Sequence, residues 1–267
     1  MSSLSITTVQ ANLHWEDKAA NLAMLEDRID SIQARTEIVV LPEMFNTGFS
    51  MHVQQLAEPM EGSTMAWMKR IVMEKKIILT GSMIIEDNGN YFNRLIWMLP
   101  DGKYGSYDKR HRFGYAGEDQ YFTAGNRRLI ASVKGWKINL QVCYDLRFPV
   151  WVRQQIIPGD GAAPEYDLII YVANWPQRRS HAWKSLLTAR AIENQCYVAG
   201  VNRTGNDGNG IYHSGDSMII DPLGEIIYHA GEKEENFTAV LQKQHLDAVR
   251  TSFPFWKDAD HFLIDPQ

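Results

Sequence analysis

The order of apolar and polar residues along the chain predicts strands and helices in alternation. Apolar side chains recur at helical spacing in residues 20–34 and again in residues 63–76, where Ser63 is a favourable N-cap residue. A third helix is predicted over residues 180–195. Short apolar runs bounded by turn residues are typical of strands. Such runs cover residues 4–10, 38–43, 77–85, 91–99, 137–142, 167–173, 196–202, 216–221 and 225–230.

This mixture of elements predicts a layered fold. Several runs, such as residues 167–173, are apolar at nearly every position and should be buried on both faces of a sheet. Many strands combined with several helices favour an α/β or α+β fold. The chain shows no internal repeat and no Pro/Ser-rich linker. Its 267 residues therefore predict a single domain spanning residues 1–267.

Composition narrows the class of protein. The formal net charge is -5, which gives no electrostatic reason to expect nucleic acid or an anionic membrane surface as a partner. Two cysteines are too few for a disulfide scaffold, and the histidines show no spacing with them that would predict zinc. The first residues lack the pattern of a signal peptide, and no apolar run approaches the roughly 20 residues of a membrane span. We therefore expect a cytoplasmic protein with reduced thiols.

Three polar residues stand where predicted strands end. Glu43 closes the run 38–43, Lys109 follows an alternating stretch, and Cys143 directly follows another apolar run. Strand ends and the loops behind them are where α/β folds place their chemistry. A cysteine attacks as the thiolate, a carboxylate can take its proton, and an ammonium can stabilise the oxyanion of an attacked carbonyl. Together they predict a nucleophilic site, with the Tyr144 N–H as the nearest backbone donor for an oxyanion.

Each residue fits an ordinary structural role when it is taken alone. A cysteine behind an apolar strand is more often a packing residue, as we expect for Cys196. Glu43 fits a helix cap or the surface, and Lys109 lies in the basic run DKRHR, which fits a solvated face. A Cys–His pair also stays open as the source of a nucleophile, because the chain has eight histidines. Only the combination of the three residues favours catalysis.

The segments around these residues carry recognisable motifs. LPEMFNTGF, YDKRHRF and CYDLRFP resemble, in this order, the glutamate, lysine and nucleophile motifs of the nitrilase superfamily, the carbon–nitrogen hydrolases. GEDQYFTAG is similar to the segment that carries a second glutamate, here Glu118. ANWP, HAWKSLLTARAIENQCYVAGVNRTG and HSGDSMIIDPLGE are also similar to family segments. The resemblance therefore covers nearly the whole chain.

The resemblance implies a fold, a mechanism and an assembly. The family fold is a four-layer αββα sandwich of two mixed β-sheets flanked by helices, and copies assemble as homodimers or higher homo-oligomers. By resemblance, Glu43 is the general base, Lys109 stabilises the transition state, Cys143 is the nucleophile and Glu118 is a supporting acid. No metal and no organic cofactor is expected. The implied reaction is attack on an amide carbonyl, loss of ammonia and hydrolysis of a thioester.

The substrate implied by the resemblance is a small amide that carries a carboxylate. The segments CYDLRFP and ANWP, with ARAIENQ behind them, are most similar to the omega-amidase group, which acts on 2-oxoglutaramate and 2-oxosuccinamate. A protein with a net charge of -5 needs a local cation for such a substrate, and arginine can bind both carboxylate oxygens. The candidate substrate contacts are Tyr144, Arg147, Trp175, Arg178 and Arg179.

Several of these side chains also fit a purely structural role. Arg147 could pair with Asp145, Arg178 and Arg179 could form a solvated loop, and Trp175 could be ordinary core packing. Another activity of the same superfamily also stays open, such as a nitrilase, an N-carbamoyl amidohydrolase or a metabolite-repair amidase. A non-catalytic binding protein on this scaffold is the remaining alternative. The segment GNDGNG predicts a loop or turn, and FPFWKDADHF predicts either a dimer contact or a segment packed on its own core.

Overall fold

Strands and helices alternate through the parts of the chain that the computed structural model describes, residues 2–157 and 163–264. The strands are β1 (Ser3–Gln10), β2 (Ile38–Val40), β3 (Ile78–Asp87), β4 (Asn90–Met98), β5 (Tyr104–Asp108), β6 (Ile130–Val133), β7 (Trp136–Val142), β8 (Ile156–Ile157), β9 (Ala163–Pro164), β10 (Leu168–Ala173), β11 (Tyr197–Asn202), β12 (Thr204–Asn206), β13 (Tyr212–Ser214), β14 (Met218–Ile220), β15 (Ile226–His229) and β16 (Glu235–Gln242). The α-helices are α1 (Lys18–Asp30), α2 (Val53–Leu56), α3 (Ser63–Lys75), α4 (Glu118–Tyr121), α5 (Pro149–Val152), α6 (Ser180–Asn194) and α7 (Lys243–Ser252).

In these described parts, no helix combines the length and the apolar character needed to cross a membrane.

Two large mixed sheets form the framework of the fold. The first has the strand order β16-β1-β2-β3-β4-β5, with β1, β2 and β3 parallel and the outer pairs antiparallel. The second has the order β15-β14-β11-β10-β7-β6, with β7, β10 and β11 parallel. Each sheet therefore has a parallel centre and antiparallel edges. The predicted arrangement of two mixed sheets flanked by helices is confirmed.

Alternating side chains fill the layers between these elements. Ile38 and Val40 of β2 belong to the core between the two sheets, whereas Val39 points to the opposite face and packs in the cluster that contains α1 and α3. Trp183 and Leu187 of α6 pack against the second sheet. Strand β10 is buried at every position, as its continuous apolar run predicts. The layers therefore follow one another as helix, sheet, sheet and helix.

The start of α3 differs from the prediction. Gly62 occupies the N-cap position and Ser63 is the first helical residue, so the predicted Ser63 cap is wrong. The Glu58 carboxylate takes that function, because it accepts from the Thr64 N–H at 2.9 Å and from the Ser63 hydroxyl at 3.3 Å. A carboxylate that arrives from an upstream segment cannot be recognised from the helical spacing alone.

The prediction missed several elements with polar sequences. Strand β16 pairs antiparallel with β1 at the edge of the first sheet, and α7 follows it directly. The last four residues of GNDGNG, 207–210, lie in the turn between β12 and β13 as predicted, whereas Gly205 and Asn206 belong to β12. Half-exposed edge strands of this kind lack the apolar run on which the prediction depended.

Candidate active site

The loops behind β2, β5 and β7 bring Glu43, Lys109 and Cys143 together. Lys109 and Cys143 come immediately after β5 and β7, and Glu43 lies a few residues past β2. The Lys109 ammonium donates a hydrogen bond to Glu43 Oε1 at 2.9 Å. The side chains of Lys109 and Glu43 are 1% and 0% exposed. The Cys143 thiol is buried, and its charge interactions with Glu43 and Lys109 place it beside them.

Glu118 completes the surroundings of the Lys109 ammonium. Its two oxygens accept from Nζ at 3.0 and 2.8 Å, and the Asn93 amide bridges it to Glu43. Burial opposes a charged lysine, but the carboxylates of Glu118 and Glu43 outweigh it and raise the pKa of Lys109. Burial also raises the pKa of Glu118, and the Lys109 ammonium opposes that shift. Lys109 is therefore a buried ammonium between two carboxylates, and not part of a solvated basic run.

Cys143 combines an unusual backbone conformation with a protonated thiol. Its φ is +43°, in the left-handed region, at the point where β7 gives way to the 3₁₀ helix Cys143–Arg147. Burial and then the Glu43 carboxylate raise the pKa of the thiol well above its usual range. The resting thiol is therefore protonated and lies next to a group that can accept its proton. Cys196, by contrast, is fully buried in the core, as predicted.

Asn174 holds Glu43 in place from the second sheet, and the sequence did not single it out. Its backbone N–H donates to Glu43 Oε2 at 2.8 Å, and its side-chain amide donates to the Glu43 carbonyl oxygen at 2.6 Å. Asn174 follows β10, the parallel neighbour of β7. The first bond orients the Glu43 carboxylate and the second holds its backbone, across the interface between the sheets. The signal that could have found it was the position of ANWP at the end of an apolar strand.

A cavity of about 230 Å³ opens onto Cys143 and Lys109. All the substrate contacts predicted from the sequence line it, namely Tyr144, Arg147, Trp175, Arg178 and Arg179. Aromatic rings from other loops complete much of the wall, and they were not predicted. These rings belong to Phe49, Phe113 and Tyr115.

The three arginines of the cavity each lie over an aromatic ring. The distances from guanidinium carbon to ring centroid are 4.9 Å for Arg147 over Trp175, 5.0 Å for Arg179 over Phe113 and 6.0 Å for Arg178 over Tyr115. Asp145, a possible partner of Arg147, is bound to His111 instead. Within residues 2–157 and 163–264, none of the three arginines forms an ion pair. Their charges are therefore available to an anion in the cavity.

The hairpin of β12 and β13 supplies a further wall of the cavity. Ile211 and His213 line it together with Asp207, whose Oδ1 accepts from the Ile211 N–H at 2.9 Å and so stabilises the turn. His213 Nδ1 bonds the Ile211 carbonyl oxygen at 3.0 Å, and burial lowers the pKa of His213 to about 4. His213 is therefore uncharged at neutral pH. The Glu43 carboxylate, not His213, acts on the pKa of the Cys143 thiol.

Comparison with known proteins relates this geometry to a family. The family model described as carbon-nitrogen hydrolase matches residues 5–251. The chain belongs to the carbon-nitrogen hydrolase family. The predicted resemblance to the nitrilase superfamily is confirmed, and with it the prediction of a hydrolase that acts on carbon–nitrogen bonds.

Individual relatives of this carbon-nitrogen hydrolase are similar over nearly their full length. The omega-amidase YafV of Yersinia enterocolitica is 43% identical over 265 residues, which cover 99% of this chain and 100% of that protein. The 2-oxoglutaramate amidase of Bacillus subtilis (strain 168) is 31% identical over 257 residues, with 95% and 96% covered. The crystal structure of XC1258 from Xanthomonas campestris, a CN-hydrolase superfamily protein with an arsenic adduct in the active site, matches with a TM-score of 0.96 at 41% identity, covering 99% of this chain and 100% of that one. The predicted similarity to the omega-amidase group is confirmed.

Proposed function

We propose that this carbon-nitrogen hydrolase is an omega-amidase, which releases ammonia from the terminal amide of a small keto acid such as 2-oxoglutaramate or 2-oxosuccinamate. The observation that carries the proposal is the cavity in which Cys143 and Lys109 face three guanidinium groups. The thiol and the ammonium suit attack on an amide carbonyl, and the guanidinium groups suit the carboxylate at the other end of the substrate. The names of two relatives, an omega-amidase and a 2-oxoglutaramate amidase, support the same substrate class.

In the first half of the proposed reaction the enzyme is acylated. Glu43 accepts the proton of the Cys143 thiol while the sulfur forms a bond to the amide carbon. The carbonyl oxygen becomes an oxyanion, which the Lys109 ammonium and the Tyr144 N–H stabilise. Glu43 then gives the proton to the amide nitrogen, the carbon–nitrogen bond breaks, and ammonia leaves a thioester behind. Because the pKa of the thiol is raised, transfer of its proton to Glu43 is part of the attack itself.

In the second half water hydrolyses the thioester. Glu43 accepts a proton from the water while the water oxygen forms a bond to the thioester carbon. The Lys109 ammonium stabilises the resulting oxyanion, as in the first half. The carbon–sulfur bond breaks and the sulfur of Cys143 takes the proton back from Glu43. The acid product ionises and ammonia binds the released proton. The hydrogen bonds from Asn174 and Asn93 support this double use of Glu43, because they hold both carboxylate oxygens in position.

The substrate carboxylate is proposed to bind Arg147 and Arg179. Both side chains are half-buried at the cavity, whereas Arg178 is exposed. Burial, with the neighbouring Arg178 charge, lowers the pKa of Arg179, which is the effect expected of a guanidinium that lacks an anion. Trp175 supports the arrangement, since its ring lies against Arg147 and its indole N–H donates to the Arg179 carbonyl oxygen at 2.8 Å.

Replacing Arg147 with glutamine tests this substrate assignment. We expect kcat/KM for 2-oxoglutaramate to fall about 10- to 100-fold, because charged hydrogen bonds contribute about 1.5–3 kcal/mol. Turnover of an uncharged amide of similar length should be unchanged. Arg178→Gln is the matched comparison: its side chain lines the same cavity but is exposed, so kcat/KM should fall only about two- to threefold, less than in Arg147→Gln. The measurement is ammonia release by the purified variants.

Two results of that experiment would contradict the proposal in different ways. An equal loss for the charged and the uncharged amide would mean that Arg147 supports the fold rather than the carboxylate. Absence of ammonia release from both 2-oxoglutaramate and 2-oxosuccinamate by the parent chain would exclude the omega-amidase assignment. Nitriles and N-carbamoyl compounds would then be tested on the same preparation.

We also propose that the working form is a homodimer or a higher homo-oligomer. The segment FPFWKDADHF is bound to its own chain near its start: the Trp256 backbone N–H donates to Gln195 Oε1 at 3.1 Å, and the Phe253 carbonyl oxygen accepts from Gln195 Nε2 at 2.7 Å. Phe253 and Phe255 stay 46% and 65% exposed, which supports a contact with another copy. Light scattering should give a mass of at least twice 30.6 kDa. A mass equal to one chain would exclude this assembly.

A further inference from the structure

The Asp145 carboxylate joins the loop behind Lys109 to the turn that carries Cys143. Asp145 is fully buried in the 3₁₀ helix that begins at Cys143. Its Oδ1 accepts from the His111 backbone N–H at 2.9 Å and bonds the His111 ring Nδ1 at 2.8 Å. His111 follows Lys109 by two positions, so these bonds cross from the end of β5 to the end of β7.

The second oxygen of Asp145, Oδ2, also connects the end of β5 to the end of β7. It accepts from the Val142 backbone N–H at 3.0 Å and from the Tyr107 hydroxyl at 2.8 Å. The Tyr107 oxygen in turn accepts from the Trp151 indole N–H at 3.0 Å and from the Arg110 N–H at 3.2 Å. Each oxygen of Asp145 therefore binds one backbone N–H and one side chain, and the donors come from both strand ends.

The ring of His111 is itself held in place on the Cys143 side. It stacks on the Phe148 ring with centroids 3.8 Å apart and planes inclined by 7°, and the edge of Trp151 lies beside it. The Phe148 N–H donates to the Asp145 carbonyl oxygen at 3.0 Å. The aromatic stack and the carboxylate thus brace the same turn.

We propose that Asp145 is a positioning residue, which fixes the Cys143 thiol relative to the Lys109 ammonium. A non-glycine residue in the left-handed region, such as Cys143, persists only where its surroundings hold it, and the bonds of Asp145 on either side of the turn supply that restraint. Attack requires close placement of the thiol, and a small displacement is costly. The proposal rests on the proposed function, in which Cys143 is the nucleophile.

Asp145→Asn is the first test. Each oxygen of Asp145 faces a backbone N–H, so either orientation of an asparagine amide points its NH₂ group at a donor, from Val142 or from His111. We expect kcat to fall about 100-fold, while KM changes less than about threefold, because substrate contacts are kept. Ammonia release gives both constants, and circular dichroism reports the folded state and Tm.

Asp167→Asn is the matched control. Asp167 is also a buried carboxylate, bound to the Lys137 N–H at 3.0 Å and to Arg250 at 2.9 Å. It precedes β10 and therefore lies at the opposite end of the second sheet from Cys143. This variant should lose stability and keep kcat within about twofold. If kcat and Tm both fall, and fall to the same extent in Asp145→Asn and Asp167→Asn, the positioning role is excluded.

A second variant covers the case in which Asp145→Asn does not fold. Tyr107→Phe removes a single donor from Asp145 and should lower kcat about tenfold at unchanged KM. If Asp145→Asn folds and its kcat stays within about threefold of the parent value, the proposal is overturned. If only Tyr107→Phe folds, a kcat within about threefold of the parent value in that variant overturns it.

Alkylation of Cys143 by iodoacetamide separates this inference from the proposed function. The rate should fall in Asp145→Asn and not in Asp167→Asn, because a displaced thiol loses the support of Lys109 for its thiolate. If the parent chain released no ammonia from any amide, the proposed function would fail, yet these alkylation rates would still test the positioning role. Equal rates in the parent chain and Asp145→Asn would then overturn it.

Discussion

Cys143→Ala is expected to abolish amide hydrolysis in a protein that stays folded. Without the sulfur no thioester forms, and loss of a nucleophile lowers kcat by a factor on the order of 10⁶. Cys143→Ser should be inactive as well, since the hydroxyl holds its proton more strongly than the thiol. The fold should tolerate both changes, because Glu43 keeps its bonds to Lys109, Asn93 and Asn174. Ammonia release and thermal melts measure the two effects.

Cys196→Ala is the matched control for this experiment. Cys196 is a buried thiol in the core cluster, and its removal leaves a small cavity away from the site. We expect full kcat and a loss of stability of about 1 kcal/mol. Turnover by purified Cys143→Ala would end the assignment of the nucleophile. If Cys196→Ala lost turnover and Cys143→Ala kept it, the reactive thiol would be that of Cys196.

The three central residues of the site could be predicted because strand ends are visible in one sequence. Cys143 directly follows the apolar strand β7, Lys109 directly follows the alternating strand β5, and Glu43 lies three residues past the apolar strand β2. The family motifs then linked runs that lie far apart in the chain. Periodicity alone did not say that these ends meet in one cavity, since that depends on how the two sheets pack.

Side-chain pairing was the part that the sequence left open. Asp145 had a nearby candidate partner in Arg147, but its carboxylate binds His111, 34 residues earlier, because the end of β5 in the first sheet packs against the end of β7 in the second. Arg147 is thereby left to face the cavity over Trp175. Asn174 and Glu43 are 131 positions apart, and no local pattern connects them. Partners of this kind depend on tertiary placement and not on propensity.

Lys109→Met is the second change with a large expected effect. It removes the charge while keeping most of the side-chain volume, so that Glu43 and Glu118 face each other in a buried site without a cation. Removing one member of a buried ionic cluster costs about 3–5 kcal/mol of stability. Loss of oxyanion stabilisation should lower kcat by a further factor on the order of 10² to 10³. Denaturant melts and ammonia release measure the two losses.

The stability of Lys109→Met should also depend on pH more steeply than that of the parent. In the parent, the Lys109 ammonium holds down the pKa of Glu118, which burial and Glu43 raise. Without it the folded-state pKa of Glu118 rises further above the unfolded value, so the folded variant binds more protons than the unfolded one. Its free energy of unfolding should therefore increase as the pH falls from about 8 to about 5. The raised pKa of Lys109 leaves that cation charged across the same range in the parent.

The double variant Lys109→Met/Glu118→Gln separates stability from catalysis. It removes one negative charge with the positive one, and Glu43 no longer faces a second carboxylate. Much of the lost stability should return, and the dependence on pH should weaken, while kcat stays as low as in Lys109→Met. That outcome assigns two functions to one ammonium: it neutralises the buried carboxylates, and it stabilises the oxyanion formed at Cys143. If kcat returned together with stability, neutralisation of Glu118 would be the whole function of Lys109, and the oxyanion would need another donor.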